Sequence, residues 1–149
     1  MRLLTIVLLF ISAKYFCQTT PVQEKVVSYA VGKMGKKVDR GECWDLANSA
    51  LNFANADWTP PLNFGTKIDH KKQSLQPGDI LQFSNTSLKF HNGSMSFPKH
   101  TAIVYKAAEN RITFLHQNFN NKRYVDTLTI NLDHIKSGKI EAFRPKSKE

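Results

Sequence analysis

Cysteine is scarce in this chain: only Cys17 and Cys43 among 149 residues carry a thiol. A disulfide framework is therefore excluded as the source of the fold. Acidic residues are also few, 12 against 21 Lys and Arg, which leaves a formal charge of +9. Beyond the first 13 residues no long apolar run occurs, and nothing reaches the ~20 apolar residues a spanning helix needs. No transmembrane segment is expected. No internal repeat is found, which argues against solenoids and propellers. His-Glu-x-x-His is absent and none of the five histidines shows a zinc-ligand spacing, so no metal or cofactor is expected. His70, His91 and His134 are given no role. The positive charge comes without a helix-turn-helix, a zinc finger or a stacking motif, so no nucleic-acid partner is expected.

What is present is ordinary globular composition, 41 % hydrophobic and 22 % charged. The length suits one domain. Met1-Arg2 followed by Leu3 to Ala13, with Leu4, Ile6, Val7, Leu8, Leu9 and Phe10, reads as a secretory signal peptide. The expected division is residues 1–17 as signal and 18–149 as one domain, secreted or periplasmic. Cys17 also opens a lipoprotein reading, which Phe16 disfavours because a small residue is expected there. A basic exported domain suits an anionic surface such as a wall polymer. With Cys17 lost to processing or lipid, Cys43 is a lone thiol, either a buried small hydrophobe or a reactive group.

Thr20-Pro21-Val22-Gln23 has the form of a capped helix start, and Val22, Val26, Val27, Ala30 and Met34 follow at helical spacing. A second helix is expected over Cys43 to Asn55, with Leu46, Ala47, Ala50, Leu51 and Ala54 on one face. Trp58-Thr59-Pro60-Pro61 begins a long loop that reaches Gln73. Leu75-Gln76-Pro77-Gly78-Asp79 is a turn into Ile80, Leu81 and Phe83. Asn92-Gly93 and Phe97-Pro98 mark a loop or hairpin before His100, and strands are expected over Thr101–Tyr105, Arg111–Leu115, Tyr124–Ile130 and Ile140–Phe143. Two helices followed by strands define an α+β domain with segregated layers.

Cys43 falls at a predicted helix start, where free backbone N–H groups favour a thiolate and can hold an oxyanion. Three segments then occur in order: Gly41-Glu42-Cys43-Trp44-Asp45-Leu46-Ala47, Leu75-Gln76-Pro77-Gly78-Asp79-Ile80-Leu81 and His100-Thr101-Ala102-Ile103-Val104. Together they resemble the CHAP and NlpC-type cysteine amidases and endopeptidases. That resemblance spans roughly Lys25 to Phe143. It implies a papain-like fold, with N-terminal helices packed on a sheet of five or six antiparallel strands. It also implies Cys43 as nucleophile, His100 as general base and His116 as the group that orients His100. Asn118 would assist His116 or shape the oxyanion site. Period-two geometry puts His116 and Asn118 on one strand face.

Trp44, Asp45 and Trp58 are candidate cleft residues. Asp45 would either disfavour a nearby thiolate, bind a substrate amine or pair with a basic residue of the fold. Asp79 is read as a structural turn residue. The expected function is cleavage of amide bonds, by resemblance in peptidoglycan. The rivals are an inactive wall- or partner-binding module on the same fold, or a secreted toxin hydrolase.

Overall fold

A computed structural model of the protein describes residues 19–148. The expected signal segment therefore lies outside the described residues. Helix α1 spans Pro21–Gly32 and α2 spans Cys43–Phe53. Strands follow as β1 (Thr66–Ile68), β2 (Ile80–Phe90), β3 (Gly93–Ala108), β4 (Arg111–His116), β5 (Asp126–Asn131) and β6 (Ile135–Arg144). They form a six-stranded antiparallel sheet in the order β1-β6-β2-β3-β4-β5. The architecture is α+β, two helices on a six-stranded sheet, as the sequence implies. No helix among the described residues is long and apolar enough to cross a membrane.

Local chemistry sets each helix start. Thr20 Oγ1 accepts the Gln23 N–H at 3.3 Å while Gln23 Oε1 accepts the Thr20 N–H at 3.0 Å, a reciprocal cap with Pro21 behind it. At α2, Asp45 accepts the Glu42 N–H at 3.0 Å. One face of the sheet packs against the helices, with Val26, Ala30, Leu46, Ala50 and Leu51 meeting Ile80, Ile103 and Leu115. Each Val, Leu or Ile side chain among these contributes roughly 1.5–3 kcal/mol by leaving water. The opposite face carries a second core of Leu81, Phe83, Phe97, Ala102, Val104, Ile112 and Phe114.

The Pro-Gly-Asp turn docks α1 onto the sheet. Gln23, fully buried, donates from Nε2 to Pro77 O at 3.1 Å and to Asp79 Oδ1 at 3.0 Å. Gly78 lies at φ +87°, and a Cβ there would come within 2.7 Å of Gln23. Only glycine tolerates both the conformation and the approach. Asp79 is structural here: it accepts the Gln76 N–H at 2.8 Å and bonds Arg144 Nε at 3.0 Å and the Arg144 terminal nitrogen at 2.9 Å.

One expectation changes: the long loop holds a short edge strand, β1, paired with Ala142–Arg144 of β6. Between Phe83 and His100 the chain forms the hairpin that was one of two readings, with β2 and β3 pairing out to Phe90 and Gly93. Pro98, which lacks an N–H, is accommodated by a kink. Asn85, which would face Pro98 between the Ser84–Lys99 and Thr86–Phe97 pairs, turns to φ +47°. Gly138 of β6 approaches so closely that a Cβ would sit 2.1 Å from Asn85 O.

Candidate active site

Cys43 is the first residue of α2 and is partly buried. Its sulfur lies among backbone N–H groups from Thr101, Trp44 and Cys43 itself, all of which favour a thiolate. Burial works the other way and is the larger effect, so the thiol is pushed above its ordinary value, and the neighbouring Glu42 adds to this. The donor from Thr101 sets the start of α2 against β3 beside His100.

His100 is only 3 % exposed, with its ring among Phe83, Phe97 and Phe119. His116 closes β4 and is 4 % exposed. His100 Nε2 and His116 Nδ1 are 2.9 Å apart, with the rings nearly perpendicular at 79°. This bond needs one N–H and one lone pair, so it suits two neutral rings or a singly protonated pair. Burial, then the neighbouring His116, lowers His100 to about 3. Burial lowers His116 to about 4, with Asp126 opposing the shift and Lys122 adding to it. At neutral pH the resting site is therefore an uncharged thiol with two uncharged imidazoles. With His100 Nε2 committed to His116, Nδ1 is the ring nitrogen left for a proton donor.

Other candidates are placed differently. Asn118 does not share a strand face with His116: β4 ends at His116, and Asn118 turns to φ +59° and donates to Glu42 Oε2 at 2.7 Å. Asp45 is fully buried and bonds Arg40 at 2.6 Å, the pairing within the fold that was one of its readings. Trp44 is half-buried, with the Arg40 guanidinium over its ring. Trp58 lies at the other end of α2, where its Nε1 donates to Asn52 at 2.9 Å. An 11-residue helix is roughly 16 Å long, so Trp58 is not brought to Cys43.

Sequence reasoning missed Gln117. It is 1 % exposed, accepts the Val38 N–H at 3.1 Å, and donates to Val38 O at 3.0 Å and Glu42 O at 2.7 Å. It thereby fastens the segment leading into Cys43 to the end of β4. Glu42, given no role of its own in the sequence reading, also meets Arg123 at 3.2 Å. Neither role leaves a signal in local sequence, because each partner is distant along the chain. Among the described residues no cluster of three or more His, Cys, Asp or Glu could hold a metal ion.

Helices at the front of an antiparallel sheet, with a cysteine opening one of them, define a cysteine proteinase-fold domain. The chain belongs to the AIM3/BBC1 cysteine proteinase-fold domain family, whose model matches residues 19–149. It is 31 % identical over 144 residues to Altered inheritance of mitochondria protein 3 of Debaryomyces hansenii, covering 82 % of this chain but only 16 % of that protein. Its fold is similar to two crystal structures of Ly7917. In the one that contains the hydrolysing product of MDP, the TM-score is 0.56 at 16 % identity, over 83 % of this chain and 62 % of that one. In the other the TM-score is 0.54 at 16 % identity, over 86 % and 63 %.

These findings narrow the resemblance. The papain-like fold holds, and the family is AIM3/BBC1 rather than specifically CHAP or NlpC. The expected secreted, periplasmic or lipoprotein location is overturned by the relative, a yeast protein named for the inheritance of mitochondria. An N-terminal apolar run of this length is a compositional signal only, and it does not decide location against a relative of this kind.

Proposed function

We propose that this domain is a cysteine hydrolase of peptide-type amide bonds, with Cys43 as nucleophile, His100 as general base and His116 as the residue that orients His100. The observation that carries the reading is the 2.9 Å bond between two buried imidazoles, one of them next in the chain to Thr101, whose backbone N–H meets the Cys43 thiol at the start of α2. Attack begins from the neutral pair: His100 takes the thiol proton at Nδ1 as sulfur adds to the carbonyl. The backbone N–H groups around Cys43 receive the oxyanion. His100 then returns the proton to the leaving amine, and water releases the acyl-enzyme.

Peptidoglycan stem peptides are one substrate of this chemical class. Incubation of the domain with wall fragments and with a denatured protein mixture, read by mass spectrometry, separates a wall substrate from protein amides. Cys43→Ala should abolish all cleavage while leaving the unfolding transition in place; turnover at the wild-type rate in that variant removes the proposal. A second reading, a binding module without chemistry, draws on the raised thiol. Failure of iodoacetamide to label Cys43 in the folded protein would favour it.

A further inference from the structure

Beside the histidine pair lies a cavity of about 230 Å³. Its lining includes His116, Asp126, Lys122, Tyr124, Phe119 and Met95. His116 and Asp126 are direct cross-strand partners of β4 and β5, so their side chains leave the sheet on the same face. Lys122 Nζ lies 3.8 Å from Asp126 Oδ2 and partly neutralises it. Among the described residues the only buried side-chain nitrogen or oxygen without a partner is His134 Nδ1. The ring nitrogen of His116 not used by His100 is thus not a sealed orphan.

We infer that Asp126 is a fourth, positioning member of the site, which holds the positive charge arriving on His116 when Cys43 loses its proton. The inference rests on the proposed roles of Cys43 and His100. The Sγ proton passes to His100 Nδ1, and the proton on His100 Nε2 passes along the 2.9 Å bond to His116 Nδ1. His116, already protonated at Nε2, becomes the imidazolium. No atom is gained or lost, and the cation has moved one ring away from the sulfur. There it faces Asp126 from β5, Lys122 and Tyr124 from the connector, and the now neutral His100 from β3. Asp126 is the attractive charge in this set and Lys122 the opposing one. Both are substantially exposed, at 42 % and 55 % of their side chains, which limits the size of each effect.

The test is the pH profile of iodoacetamide alkylation in the folded full-length protein, read at the Cys43 peptide by mass spectrometry so that Cys17 does not interfere. Asp126→Asn should raise the apparent thiol pKa by about half to one unit, a roughly threefold to tenfold slower reaction near neutral pH. Lys122→Gln should move the profile in the opposite direction. Unchanged profiles, or shifts of the same sign in both variants, overturn the inference, because a merely structural disturbance has no reason to reverse with the charge removed. His100→Ala separates the levels. If its profile equals wild type, the proposed base is wrong; if it differs while Asp126→Asn does not, only the role of Asp126 falls.

Discussion

Replacing Gln117 by alanine tests whether the start of α2 is held by long-range polar contacts. The substitution removes three hydrogen bonds, to Val38 N–H, Val38 O and Glu42 O. A net hydrogen bond contributes about 1 kcal/mol, and a buried group left unpaired costs about 1–3 kcal/mol. Water entering the vacated space satisfies some of these groups, so a loss of about 3 kcal/mol is expected. That is a large share of the roughly 5–15 kcal/mol that stabilises a typical domain. The urea midpoint should fall with an unchanged m-value, and Tm should drop by about 10 °C at this chain length. Cys43 alkylation should also change, because Glu42 and Cys43 lose their anchor to β4. A loss below about 1 kcal/mol together with unaltered alkylation would refute the reasoning, since it would mean the three bonds are worth no more than their exchange with water.

Four further outcomes are expected. Gly78→Ala should destabilise by more than about 1 kcal/mol in urea unfolding, since it combines a positive φ with a contact against Gln23. Asp79→Ala leaves Arg144 without its carboxylate and should cost about 3 kcal/mol, the low end for a buried pair because Arg144 is 22 % exposed. The histidine pair makes the fold acid-sensitive. Both rings bind protons more weakly folded than unfolded, so their contribution is intact above the unfolded value near 6.5 and is lost as pH falls towards about 4 and about 3. Urea midpoints at pH 7.5 and about pH 5 should differ by the equivalent of about 2 kcal/mol per ring, less in His116→Gln. Cys43 alkylation should keep rising from neutral into alkaline pH, as a raised thiol requires; a plateau near pH 6 would instead indicate a resting ion pair.

Both helices, most of the strands and the α+β class can be read from the chain because their signals are local. Thr20 and Gln23 cap each other three residues apart, and the apolar stripe from Leu46 to Leu51 repeats every turn. The union of His100 with His116 was implied only through family resemblance, since spacing alone does not state that two strands are neighbours. Gln117 and Asp126 were illegible for the same reason: their partners come from the connector that leads into α2 and from β4. Asn118 misled because the alternation rule was carried past the end of β4. Strand β1 has three residues and no alternation to detect.

The kink shared by Asn85, Pro98 and Gly138 decides which way the base points. Phe97 and His100 are an odd number of residues apart, yet their rings lie 5.3 Å from one another on one side of the sheet. The in-out parity of β3 is reversed between them. Straightening this stretch at constant length would put Phe97 and His100 on opposite faces, turning the imidazole through the sheet towards the helices and away from His116. The backbone conformation of this short stretch is therefore under tighter constraint than the identity of most residues within it.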